Sequence, residues 1–116
     1  MTTMTLSDAT LRLRFRPWEK VAGLVRDLDV PVASIAEVEV VEDGLAGARG
    51  LRAPGLGLPG RRKIGTWRGR GRKSLVSVRR RQPAVRLRLT GQRFDEVLVG
   101  TDEAEALAGR LRARVG

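Results

Sequence analysis

Several stretches of this chain alternate apolar and charged residues with a strict period of two. Thr10 to Arg16 reads TLRLRFR, with Leu11, Leu13 and Phe15 set against Arg12, Arg14 and Arg16. Ala36 to Glu42 (AEVEVVE) sets Val38 and Val40 against Glu37 and Glu39. Ala84 to Leu89 (AVRLRL) is the most regular, with Val85, Leu87 and Leu89 against Arg86 and Arg88. A period of two is that of a strand with one buried face, whereas a helix would scatter these residues around its circumference. A chain patterned in this way is expected to be mainly β.

Further strands fill the same reading. Arg62 to Arg68 (RKIGTWR), Ser74 to Arg80 (SLVSVRR) and Phe94 to Val99 (FDEVLV) join Ala84 to Leu89 at intervals of about ten residues, with short turns between, which reads as an antiparallel meander. Leu28 to Val32 is a short β-prone piece interrupted by Pro31, and Trp18 to Arg26 is a short helical turn weakened by Gly23. Asp43 to Gly60 holds six glycines and two prolines and reads as a loop whose leucines pack on the body. If the strands of 10–16 and 36–42 pair, Glu37 and Glu39 meet Arg12, Arg14 or Arg16 across the sheet.

One helix closes the pattern. Over Asp102 to Val115, Asp102 stands as N-cap with Glu105 three residues on, and Arg110, Arg112 and Arg114 suit the negative helix end. Ala104, Leu107, Ala108, Leu111 and Val115 form one apolar stripe that must be buried against the sheet.

The order of about seven strands followed by an amphipathic helix resembles the pleckstrin-homology (PH) superfold. More narrowly it is similar to the small bacterial PH-like proteins, through Leu11–Asp43, Lys63–Gly91 and Phe94–Leu111. The resemblance covers nearly the whole chain and rests on element order. It implies a bent antiparallel sheet or barrel capped by the final helix, strands within 9–100, and a non-catalytic binder of phosphoinositides, peptides or proteins. Lipid-binding members of that superfold hold phosphates on the first two strands and the loop between them. Here that region carries Trp18, Glu19, Lys20, Arg26 and Asp27, which is mixed in charge, so no site residue is carried over.

At 116 residues a single domain is expected. The chain has no Cys and no His. That removes disulfides, Cys/His zinc sites, thiol nucleophiles and Ser-His-Asp triads, and no paired carboxylate motif takes their place. Neither a catalytic set, a metal nor a cofactor is expected. The start, MTTMTLSDATLRL, lacks the basic and apolar regions of a signal peptide, and no apolar run is long enough for a membrane span. A cytoplasmic protein, able to act peripherally at a membrane, is the expectation.

Charge is distributed very unevenly. From Gly44 to Arg93 there is no acidic residue, yet this stretch holds fifteen of the 23 Lys and Arg residues. The segment before it has five basic and eight acidic residues, and the segment after it three and five. Such a field attracts polyanions and is weakened by salt. Its candidates for anion binding are Arg61, Arg62, Lys63, Arg70, Arg72, Lys73, Arg79, Arg80 and Arg81. If 62–68 and 74–80 pair as a hairpin, the RGRGRK turn lies at one end. Arg61, Arg62 and Lys63 then join Arg79, Arg80 and Arg81 at the other. Two bland readings compete: an Arg-rich composition of twenty Arg and three Lys, and arginines that merely cover Glu37, Glu39 and Asp43.

Three local motifs each have a simpler structural role. Gly55 to Gly60 spells GxGxxG, but Pro54 precedes it and a β-type run follows, so it reads as a turn sequence and not a dinucleotide site. Arg68 to Lys73 (RGRGRK) resembles nucleic-acid-contacting Arg-Gly segments, but the flanking strands favour a hairpin turn using Gly69 and Gly71 for positive φ. Trp67 suits base stacking, a lipid interface or a core position. The pattern as a whole points to a binding or scaffold module for a protein partner or an anionic membrane surface, with Leu51, Leu56 and Leu58 available as apolar contacts. The alternative is a nucleic-acid-binding protein using 61–93. A homodimer through a sheet edge or the helix is compatible with either.

Overall fold

Alternation along the second strand fixes the first sheet. A computed structural model of the chain describes residues 3–7, 9–17, 27–43, 55–58, 62–69, 72–79 and 81–115, with the backbone alone at 55–58, 62–64, 67–69, 72 and 115. Strands β1 (Thr3–Ser7), β2 (Thr10–Arg14) and β3 (Leu28–Pro31) form a three-stranded antiparallel sheet in that order. Leu11, Leu13 and, just beyond β2, Phe15 are buried, while Arg12 and Arg16 are exposed, as the period of two requires. Asp27 accepts the Phe15 N–H at 2.8 Å, and Asp29 pairs with Arg14 at 2.9 Å. β1 lies before residue 9, outside the expected strand region. Its half-buried Met4 and Leu6 alternate with exposed Thr and Ser, too mild a pattern to stand out in the sequence. Pro31 ends β3, and a single 3₁₀ turn (Val32–Ser34) follows, with the Ser34 hydroxyl donating to the Pro31 carbonyl at 2.7 Å.

The second sheet has six strands. They are β4 (Ile35–Val41), β5 (Gly55–Leu58), β6 (Arg62–Gly69), β7 (Arg72–Arg79), β8 (Ala84–Leu89) and β9 (Glu96–Gly100), in the order β4-β8-β9-β7-β6-β5. β4 pairs with β8, so Glu37 and Glu39 face Arg88 and Arg86 instead of the arginines of β2. The reason is topological: β1 and β3 occupy both sides of β2.

The four-strand meander is also corrected. β9 inserts between β7 and β8, antiparallel to β8 and parallel to β7. Its sequence explains why: Val97, Leu98 and Val99 are all within 1% of complete burial, so both of its faces need cover and a central position provides it. The connection from β7 to β8, residues 80–83, must then step across two strand spacings, about 10 Å, within reach of four extended residues. Arg81 adopts φ 61° in this crossing. β9 passes close under it: a Cβ on Gly100 would stand 2.5 Å from Gln82 Oε1. The Gln82 amide donates to Asp102 at 3.2 Å, and the Thr101 N–H to the Pro83 carbonyl at 2.9 Å.

The expected 43–60 loop contains a strand, since GLGL of β5 pairs antiparallel with β6. Helix α1 (Ala104–Val115) starts two residues later than expected. Asp102 is not its cap, because its carboxylate takes Gln82; the Thr101 hydroxyl instead accepts the Glu103 N–H at 3.2 Å. Ala104, Leu107, Ala108 and Leu111 are buried, and the helix packs on β4, β8 and the 3₁₀ turn.

One core cluster draws on both sheets and the helix. It includes Leu11, Leu13 and Val30 of the first sheet, Leu75, Leu87 and Val97 of the second, and Leu107 and Leu111 of α1. A smaller cluster of Val76, Val78, Ala84 and Leu98 occupies alternate positions of the same strands, hence the other face of the sheet. The architecture is thus mainly β with a C-terminal helix. Among the described residues its sheets do not close into a barrel.

Candidate anion-binding surface

The β6–β7 hairpin carries the basic segment. Its ladder runs from Arg62↔Arg79 at one end to Gly69↔Arg72 at the other, with Arg68↔Lys73 beside the latter. Gly69 therefore sits inside β6, not in the turn. Gly55 to Leu58 of the GxGxxG motif is a strand followed by another strand, which is not the strand-turn-helix context that a dinucleotide phosphate needs.

The sequence candidates fall into three groups. Arg61, Arg70 and Arg80 lie outside the described residues. Arg62, Lys63, Trp67 and Arg72 are placed by backbone register alone: Arg62 opposite Arg79, Lys63 opposite Val78, Trp67 opposite Ser74, and Arg72 opposite Gly69. Lys73 is half-buried, and Arg79 and Arg81 are exposed. Arg62, Arg79 and Arg81 thus gather at one end of the hairpin, and Arg68, Arg72 and Lys73 at the other. The two ends are about 20 Å apart, given six residues of strand rise. Leu51 lies outside the described residues, while Leu56 and Leu58 stand on β5 opposite Ile64 and Arg62.

Two halves of the same sheet treat arginine differently. On β4, β8 and β9, each arginine meets carboxylates across the ladder. Arg88 lies 3.4 Å from Glu37, and Arg86 lies 3.6 Å from Glu39 and 3.2 Å from Glu96. Arg86 and Arg88, which are not among the anion-binding candidates, cover the acidic face of β4. On β6 and β7 the opposed pairs Arg62↔Arg79, at one end, and Arg68↔Lys73, one position short of the other, are cation against cation. Like charges directly opposite destabilise a sheet, by about 0.2–1 kcal/mol per pair. Among the described residues Lys73, Arg79, Arg81 and Arg93 have no carboxylate within ion-pair distance. Asp43 accepts the Arg81 backbone N–H at 3.3 Å.

Arg93, which sequence reasoning missed, joins the hairpin through the insertion of β9. Because β9 runs parallel to β7, the segment before it is drawn against the start of β7. Asp95 is latched there: its N–H donates to the Lys73 carbonyl at 2.8 Å, and its carboxylate accepts the Lys73 N–H at 2.8 Å. The Lys73 ammonium then lies 5.2 Å from the centre of the Phe94 ring, and the Arg93 guanidinium 5.5 Å from it. Both are within cation–π range. The unbroken apolar run Val97-Leu98-Val99 was the signal that could have placed β9 centrally and Arg93 beside Lys73.

Chemically this surface offers hydrogen-bond donors and positive charge. Among the described residues no three acidic side chains gather closely enough to hold a metal. Ser74 donates to Glu96, but that carboxylate is already committed to Arg86. No protein-family model, curated protein or solved structure matches the chain.

Proposed function

We propose that this chain is a non-catalytic binding module, PH-like in element order, that docks an anionic membrane surface on its β6–β7 hairpin. The observation that carries the reading is the pairing of cation with cation near both ends of a hairpin whose neighbouring strands match every described arginine with acid. Repulsion that the fold itself leaves uncompensated is relieved when an external anion arrives. Register supports a lipid surface in particular. β5 brings Leu56 and Leu58 into the ladder beside Ile64 and Arg62, so apolar and basic positions share one end of the sheet, the combination interfacial binding uses. Helix α1 supports a duplex groove poorly: its apolar face is buried on the sheet, and Glu103 and Glu105 stand exposed at its start.

The test is flotation of the purified protein with vesicles of phosphatidylcholine alone or mixed with phosphatidylserine, at low salt and at about 0.15 M salt. Binding to the mixed vesicles that persists at the higher salt supports the reading. Absence of binding there, with duplex or single-stranded DNA bound instead, would transfer the surface to nucleic acid; absence of both would leave a protein partner as the target.

A further inference from the structure

We infer that Lys73 and Arg93, both held on the ring of Phe94, form a clamp for a phosphate group. The inference deepens the binding-module reading by naming the chemistry recognised at one end of the hairpin. Three features support it. First, the two cations are brought together by the fold: twenty residues apart in sequence, they lie 5.2 and 5.5 Å from one ring centre. Second, the clamp is braced. Asp95 holds the Lys73 backbone through both its N–H and its carboxylate, and its carbonyl accepts the Leu89 N–H at 2.8 Å. Phe94 itself is anchored in the main core. Third, neither cation is ion-paired among the described residues. The Asp95 carboxylate accepts from the Lys73 main chain, and the position opposite Lys73 in the ladder is Arg68.

Phosphate suits this arrangement better than a lone carboxylate. A guanidinium lying over a ring still has its N–H donors in its own plane, where they meet two oxygens of one phosphate, while an ammonium serves as a point charge for a third. The ring contacts restrain both side chains and the Asp95 latch fixes the Lys73 main chain before the anion arrives, which lowers the ordering cost of binding. The same oxygens are presented by a phosphomonoester lipid headgroup and by free phosphate.

The experiment is an NMR titration of the full chain with inorganic phosphate, followed by flotation with phosphatidic acid vesicles against phosphatidylserine vesicles. Amide signals of Lys73, Arg93 and Phe94 are expected to move together and saturably. Arg93→Gln, at an exposed position that leaves the core untouched, is expected to weaken phosphate about five-fold or more, while Arg79→Gln, at the far end of the hairpin, changes it less than about two-fold. Phe94→Leu, which keeps an apolar core residue but removes the ring, should weaken it as well. A preference for phosphatidic acid that disappears in Arg93→Gln assigns the phosphate to a lipid; clamp signals without that preference assign it to a soluble phosphate. Phosphate shifts spread evenly over the basic residues, or unchanged in Arg93→Gln, would overturn the clamp. In that case vesicle binding lost only in Arg79→Glu would leave the module reading standing, whereas an intact clamp on a protein that floats with no vesicle would overturn that reading alone.

Discussion

Arginine does two jobs in this chain, and single substitutions separate them. Arg86 is half-buried and bridges Glu39 and Glu96. Removing it leaves Glu96, with a side chain 14% exposed, without its cation. Arg86→Ala is therefore expected to cost about 1–3 kcal/mol in urea unfolding. Arg79 is exposed and faces Arg62 across the ladder. Replacing it by Glu converts a repulsive pair into an attractive one, so Arg79→Glu is expected to leave stability unchanged or raise it by up to about 1 kcal/mol. A cation whose loss stabilises the fold is one the fold does not need. Surface positions of that kind are where function commonly costs stability.

At the scale of elements, β9 is the piece on which the rest depends. It is central, buried on both faces, and it passes beneath the crossing from β7 to β8. A Cβ at Gly100 would meet the Gln82 amide, which would have to shift and strain its bond to Asp102 ahead of α1. Gly100→Ala is expected to destabilise by about 1–3 kcal/mol, with a fall in thermal midpoint read by circular dichroism. Leu87→Ala, at a fully buried β8 position in the main core, should cost about 2–5 kcal/mol by the same measurement. The sequence made β2, β4, β8 and α1 legible, because each buries one face and so carries a clean period of two or of 3.6. It did not reveal the place of β9. A run such as Val97-Leu98-Val99 has no period, and its neighbours are set by what must cover both faces. β5 was hidden for a different reason: glycine and proline report local freedom, yet GLGL gains its order from the ladder with β6. Arg93 was missed as a consequence of β9, since only the parallel pairing with β7 brings it to Lys73.

Across the whole molecule, charge is sorted by strand. The formal net charge of +10 is concentrated in one segment. Within the second sheet, the described carboxylates lie on β4 and β9 and neutralise β8, while β6 and β7 are left to repel themselves. No helix among the described residues is long and apolar enough to cross a membrane. Binding through such a field should weaken steeply with ionic strength, because the Debye length falls from about 30 Å at 0.01 M to about 8 Å at 0.15 M. An affinity that barely responds to salt would point to apolar contacts as the main attraction instead. The most direct test of the central claim measures stability and anionic-vesicle binding on the same sample of Arg79→Glu. The expected result is a protein at least as stable as the parent that has lost most of its vesicle binding at about 0.15 M salt. A variant that unfolds more easily, or one that binds vesicles as well as the parent, would contradict it.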